Sequence, residues 1–170
     1  ITKELPYQNK TIIMININSV SGNIFKETSL RSKNFEKIQI SRVDLEKKIL
    51  RRKTDSGTDI GINLDSGVKL QHGDVIGNDE VKIIVEQIPE QVISVKIKEN
   101  DQNIAILLGH IIGNRHRPIE IKEKIIVFPI QEDSELEIFE RLFKEIINHI
   151  ELKIEKAIFL PHTSADVHEH

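Results

Sequence analysis

The chain has 170 residues, 38% hydrophobic and 30% charged with a net charge of -3, the balance of an ordinary globular protein of one domain or two small ones. It holds no cysteine, which excludes disulfides, thiolate nucleophiles and sulfur ligands together, so any metal site must be built from nitrogen and oxygen. No apolar run approaches the roughly 18 residues that span a bilayer and the N-terminus lacks a basic-then-apolar leader pattern, so no membrane association and a cytoplasmic location are expected.

Isoleucine is so frequent that turns and periodicity are better guides than β-branching. Residues 11–18 alternate around Ile13, Ile15 and Ile17 and predict a strand that Gly22-Asn23 breaks. Residues 37–42 predict a second strand, and 44–53 are mixed and basic up to the Asp55-Ser56-Gly57 turn. Residues 59–64 predict a strand with Ile60, Ile62 and Leu64 on one face, turned back by Asp65-Ser66-Gly67. Short strands at 68–70, 75–76 and 81–87 follow, separated by His72-Gly73-Asp74 and Gly77-Asn78. Short strands at that spacing predict a small all-β sandwich or barrel over residues 1–89.

The pattern changes after Pro89. Strand 91–98, helix 101–112, strands 119–122 and 124–130, helix 134–150 and strand 151–159 give the order βαββαβ, the ferredoxin-like arrangement, over residues 90–160. Ser134 and Glu137 predict a capping box for the second helix, with Ile138, Phe139, Leu142, Phe143, Ile146, Ile147 and Ile150 as its apolar stripe. The fold class is therefore α+β, and residues 161–170 form a polar, histidine-containing tail without periodicity, expected to be mobile.

Charge is divided unevenly. Residues 1–100 carry 16 Lys and Arg against 14 Asp and Glu, residues 101–170 carry 8 against 13, and six of the seven histidines fall in this acidic part. Acidic groups and imidazoles together attract divalent cations, although charged faces are usually only solvated. Within it stands Gly113-Asn114-Arg115-His116-Arg117-Pro118: Pro118 cannot extend a helix and biases Arg117 away from one, so His116 sits just past a helix end. An imidazole displayed there is a candidate ligand for nickel, copper or zinc, and a two-fold dimer bringing two copies of His116 together is one way to add donors.

This set of segments resembles the UreE-type urease accessory proteins, which are nickel metallochaperones. The resemblance lies in the basic, glycine-bearing run Arg51 to Ile62, in Leu70-Gln71-His72-Gly73-Asp74-Val75-Ile76, in Gly113-Asn114-Arg115-His116, in His168-Glu169-His170 and in Gly22-Asn23-Ile24. It implies a β-rich first domain that contacts protein partners and a ferredoxin-like second domain that dimerises and holds Ni2+ between paired copies of His116, with tail histidines supplementing the site. It also implies delivery to a urease GTPase accessory protein and the urease apoenzyme complex, and it implies no enzymatic activity. The chain departs from the family in two places. Ile111 and Ile112 stand where many members have a histidine, with His110 one place further back, and there is no long histidine-rich tail, so high-capacity storage is not expected.

Each candidate also has a plainer reading. His116 could simply cap the negative end of a helix. His110 is about 240° away from it around a helix, so it is expected to be structural. His168, His170 and His162 are expected ligands that could equally be solvated, His149 has a helix-end role available, and His72 belongs to a turn. Arg51, Arg52 and Lys53 are expected to dock an acidic partner, against a solvated-face alternative. No aromatic interleaves the basic run, so nucleic acid is not an expected ligand. The chain lacks a catalytic cysteine, a phosphate loop and a His-Glu-x-x-His, so it is read as a non-enzyme; Ni2+ is the expected cargo, with Zn2+ or Cu2+ able to bind in vitro. A non-metal adaptor binding protein or RNA is the alternative.

Overall fold

A computed structural model describes residues 13–31 and 34–162, and the chain divides into two compact units, Ile1–Ile88 and Pro89–His170. In the first unit the strands are β1 (Ile15–Ile17), β2 (Val20–Asn23), β3 (Glu36–Ile40), β4 (Ile49–Lys53), β5 (Asp59–Asn63), β6 (Asp74–Gly77) and β7 (Lys82–Gln87), with one turn of helix, α1 (Arg42–Leu45). They form a three-stranded sheet, β1-β5-β4, and a four-stranded sheet, β2-β6-β7-β3. Period-two alternation sends Ile17, Leu50, Ile60 and Ile62 of the first sheet and Ile38, Ile40, Ile76, Ile83 and Val85 of the second into one shared core. That two-sheet, one-core arrangement is the β-rich domain expected from the spacing of turns.

Three local expectations are corrected. Gly22-Asn23 lies inside β2, because a bulge between Val20 and Gly22 keeps the strand paired with β6. Residues 68–70 form no strand: they are caught between the turn at Gly67 and the 71–73 turn, and only Leu70 reaches the core. The strand expected to run to residue 42 stops at Ile40, since Ser41 accepts a hydrogen bond from Asp44 N–H at 3.2 Å and starts α1.

The β4–β5 hairpin tip is tied to the other sheet. Glu36 accepts from the hydroxyls of Thr54 and Thr58, Lys37 N–H donates to Asp55 Oδ1 at 2.9 Å, and Asp55 N–H donates to Lys37 O at 2.9 Å. The His72-Gly73 turn is likewise held. Asn23 donates to His72 O and Asp74 Oδ1, Gln87 N–H donates to His72 Nδ1, and Phe25 covers Gly73, whose φ of +85° lies in the left-handed region that favours glycine.

The second unit comprises β8 (Glu90–Ile97), α2 (Gln102–Gly113), β9 (Glu120–Lys122), β10 (Ile125–Pro129), α3 (Glu135–Leu142) and β11 (Ile150–Ala157). The sheet is antiparallel in the order β11-β8-β10-β9, which is the ferredoxin-like arrangement read from the sequence. Ile93, Val95, Ile126, Phe128 and Ile130 line the face that packs against Ile104, Leu108 and Ile112 of α2 and Phe139, Phe143 and Ile146 from α3 onward. Asp101 caps α2, accepting from Asn103 N–H at 2.8 Å and Ile104 N–H at 3.4 Å.

The long helix expected over 134–150 is shorter. α3 ends at Leu142, and tighter turns, Lys144 N–H to Arg141 O, Ile146 N–H to Phe143 O and His149 N–H to Ile146 O, carry the chain to β11. Turns of this kind rise about 2.0 Å per residue against 1.5 Å, so the chain reaches the sheet at Ile150 while Phe143 and Ile146 stay buried. The Ser134–Glu137 capping box does not form: Ser134 is already helical and its hydroxyl donates to Glu132. Glu135 instead reaches back into the preceding loop, accepting from Gln131 N–H at 2.6 Å, and its charge sits favourably in the first turn of α3. Ile138, expected in the buried stripe, is exposed.

Candidate metal-binding site

His116 is exposed and carries a φ of +52°, a left-handed conformation that few non-glycine residues adopt. It follows α2 through three closing bonds: Asn114 N–H to His110 O at 3.0 Å, Arg115 N–H to Ile112 O at 3.0 Å and His116 N–H to Gly113 O at 2.9 Å. A left-handed residue after a helix is the usual way to end one, but glycine normally fills that place. Arg117 then fixes the far side of the loop, its guanidinium binding Glu135 at the start of α3 and Pro129 O. The loop therefore holds an imidazole in solvent with both flanks anchored.

The other candidates separate in space. Nε2 of His110 is taken up by the carboxamide of Asn114 at 3.1 Å, which fits its structural reading. His149 lies 3.9 Å from Glu99, and His72 is bound into its turn. His162, also exposed, has its backbone beside the His116 loop, with N–H donating to Ile119 O at 2.7 Å. His168 and His170 lie outside the described residues. Among the described residues no group of three or more His, Asp and Glu gathers to hold an ion. The donor set of one chain thus fits a divalent cation only in part, with His116 and His162 as two imidazoles on adjacent segments, and further donors must come from a second copy or from beyond residue 162.

The exposed face of α2 leads to this loop. Ile106 and Leu107 are 61% and 44% exposed, and His110, Gly113 and Asn114 continue the face one and two turns on.

The basic run takes a form that sequence reading missed. Alternation along β4 puts Arg51 and Lys53 on one face and Arg52 on the other. Arg51 forms a two-pronged pair with buried Asp59, Nε at 3.1 Å and Nη2 at 2.6 Å. Arg52 binds Asp44 at 2.6 Å, which Lys47 also pairs, and donates to Arg51 O at 2.9 Å, occupying a carbonyl of this edge strand. Much of the charge is therefore spent within the unit.

The hydrogen bond and charge of Arg51 hold the Asp59 carboxyl below the usual carboxylate range. The stability this shift gives is present above the ordinary aspartate range and is lost as pH falls through the depressed value. Arg51→Ala should accordingly lower urea midpoints most near neutral pH, with the gap to wild type closing in acid. A gap of constant size at pH 7 and pH 3 would show that Arg51 contributes packing and not charge.

Residues 17–88 match the family described as UreE urease accessory protein, N-terminal domain. Across most of its length the chain is similar to proteins named Urease accessory protein UreE: that of Streptococcus vestibularis at 33% identity over 148 residues, 86% of this chain and 95% of the relative. That of Streptococcus thermophilus is 32% identical over the same shares, and that of Staphylococcus epidermidis 32% identical over 145 residues, 83% and 93%. The shared name is that of an accessory protein and not of an enzyme.

Proposed function

The chain belongs to the UreE family of urease accessory proteins, and from that membership we propose that it is a nickel metallochaperone that carries Ni2+ between two copies of itself and passes it on for assembly of the urease active site. The observation that carries this reading is the exposed, left-handed His116 at the end of α2. A single displayed imidazole makes a weak site alone, and a two-fold partner doubles it. The apolar strip of Ile106 and Leu107 supplies surface for such a dimer. His162, His168 and His170 would complete the donor set, and Gly113, Asn114 and Arg115 shape the turn. A shared nitrogen and oxygen site suits cargo that must leave, whereas closed cages retain metal.

Delivery assigns the first unit to protein contact. Arg51, Arg52 and Lys53 would meet an acidic surface on the urease GTPase accessory protein or the apoenzyme complex in the cytoplasm. The ion pairs of Arg51 and Arg52 reduce the net charge on offer, so steering by this patch is modest and strongest at low salt.

Equilibrium dialysis combined with sizing should give about one tight Ni2+ per two chains. Imidazole ligates only as the neutral base, so binding should weaken progressively below about pH 6.5. One tight ion per monomer would overturn the shared site, binding flat through mild acid would assign carboxylate ligands instead, and binding no tighter than that of any histidine-bearing surface would identify an adaptor without metal.

A further inference from the structure

β11 and β9 are the two opposite edges of the second unit's sheet, so the chain leaving β11 at Ala157 starts three strand positions away from the His116 loop, which runs into β9. That separation is about 14 Å at roughly 4.8 Å per strand, a distance five extended residues can just bridge. Residues 158–162 make this crossing. Phe159 is the mid-span anchor, fully buried against Val92 of β8 and Val127 of β10 on the sheet face turned away from the helices. At the far edge Leu160 N–H donates to Glu120 Oε2 at 3.2 Å, and His162 N–H donates to Ile119 O at 2.7 Å. Glu120 is itself fixed: its side chain is only 10% exposed and its other oxygen pairs with Lys122 at 2.9 Å.

Burial of Phe159 over Val92 and Val127 favours this path over leaving into solvent at Ala157. The crossing has one geometric result, which is that the residues after Leu160 start from a point three or four positions along the chain from His116. We propose that Glu120 and Phe159 are positioning residues that strap residues 158–162 across the sheet, so that His162 is delivered to the His116 loop as a ligand for the divalent ion. Glu120 does this by holding Leu160 N–H, and Phe159 by filling the apolar patch over Val92 and Val127.

This inference rests on the reading of His116 as a metal ligand, and the experiment separates the two. In the full-length protein, Glu120→Ala should speed amide exchange at Leu160 and His162 in the metal-free state and raise the Kd for Ni2+ about tenfold, the usual size of an effect on ligand placement. Glu120→Gln keeps an acceptor for Leu160 N–H and should stay within about threefold of wild type, which also controls for folding. In a His162→Ala background, Glu120→Ala should have no further effect on Ni2+ binding, because a strap without its ligand positions nothing. Unchanged Kd in Glu120→Ala, or an undiminished effect in the His162→Ala background, overturns the strap. Tight binding retained by His116→Ala would instead overturn the reading beneath it.

Discussion

Changing His116 to glycine should abolish tight nickel binding and leave the protein as stable as before or more so, by up to about 1 kcal/mol. The left-handed region costs a residue with a Cβ roughly 1–2 kcal/mol, and His116 occupies it at φ +52°. Glycine removes that cost and returns part of it as extra freedom in the unfolded chain. Alanine keeps the strain and loses the imidazole, so His116→Ala should melt slightly below wild type. Thermal stability should therefore run glycine, wild type, alanine, while neither variant holds the tight ion and both keep the wild-type oligomeric state by sizing. Such an ordering marks a residue kept for chemistry at some expense to the fold. If either variant binds Ni2+ as tightly as wild type, the site lies elsewhere; if glycine destabilises as much as alanine, the imidazole has a structural role.

The ferredoxin-like order was legible because each element there carries its own period. Ile93, Val95 and Ile97 recur with period two along β8, α2 repeats its buried positions at Ile104, Leu108 and Ile112, and Pro118 and Pro129 punctuate them. The β-rich half was legible from turns, since Asp55-Ser56-Gly57 and Asp65-Ser66-Gly67 bracket β5. What could not be read depends on partners far apart in the chain. Arg117 anchors the His116 loop through Glu135, and Glu120 holds Leu160 across 40 residues; no local pattern announces either. The basic run looked free because Asp44 and Asp59, which neutralise Arg52 and Arg51, reach it only through the hairpin and α1. The helix from Ser134 was overextended for a related reason: an apolar stripe fits α-helical and tighter turns alike, and the choice between them was made by the distance to β11. His116 is singled out as a candidate by its neighbours in sequence, whereas the approach of His162 N–H to Ile119 O is visible only in the fold.

Phe143→Ala should produce the largest loss of stability, about 3–5 kcal/mol, and confine it to the second unit. Phe143 is fully buried where α3 gives way to tighter turns, and its ring lies 5.7 Å from that of Phe139, which in turn lies 4.5 Å from Phe128. Truncating it removes the aromatic end of this row and leaves a cavity that the sheet and α2 cannot both close. A domain of this size has only about 5–15 kcal/mol in total, so its thermal transition should fall by more than about 10 °C. The first unit has its own core around Ile38, Ile60 and Ile83, and its transition should stay in place. Calorimetry of the metal-free variant should therefore resolve one shifted and one unshifted transition, and nickel capacity should disappear with the first. A single transition displaced as a whole would show that the two units unfold together, and that loss of the second unit's core also removes the surface assigned to protein partners.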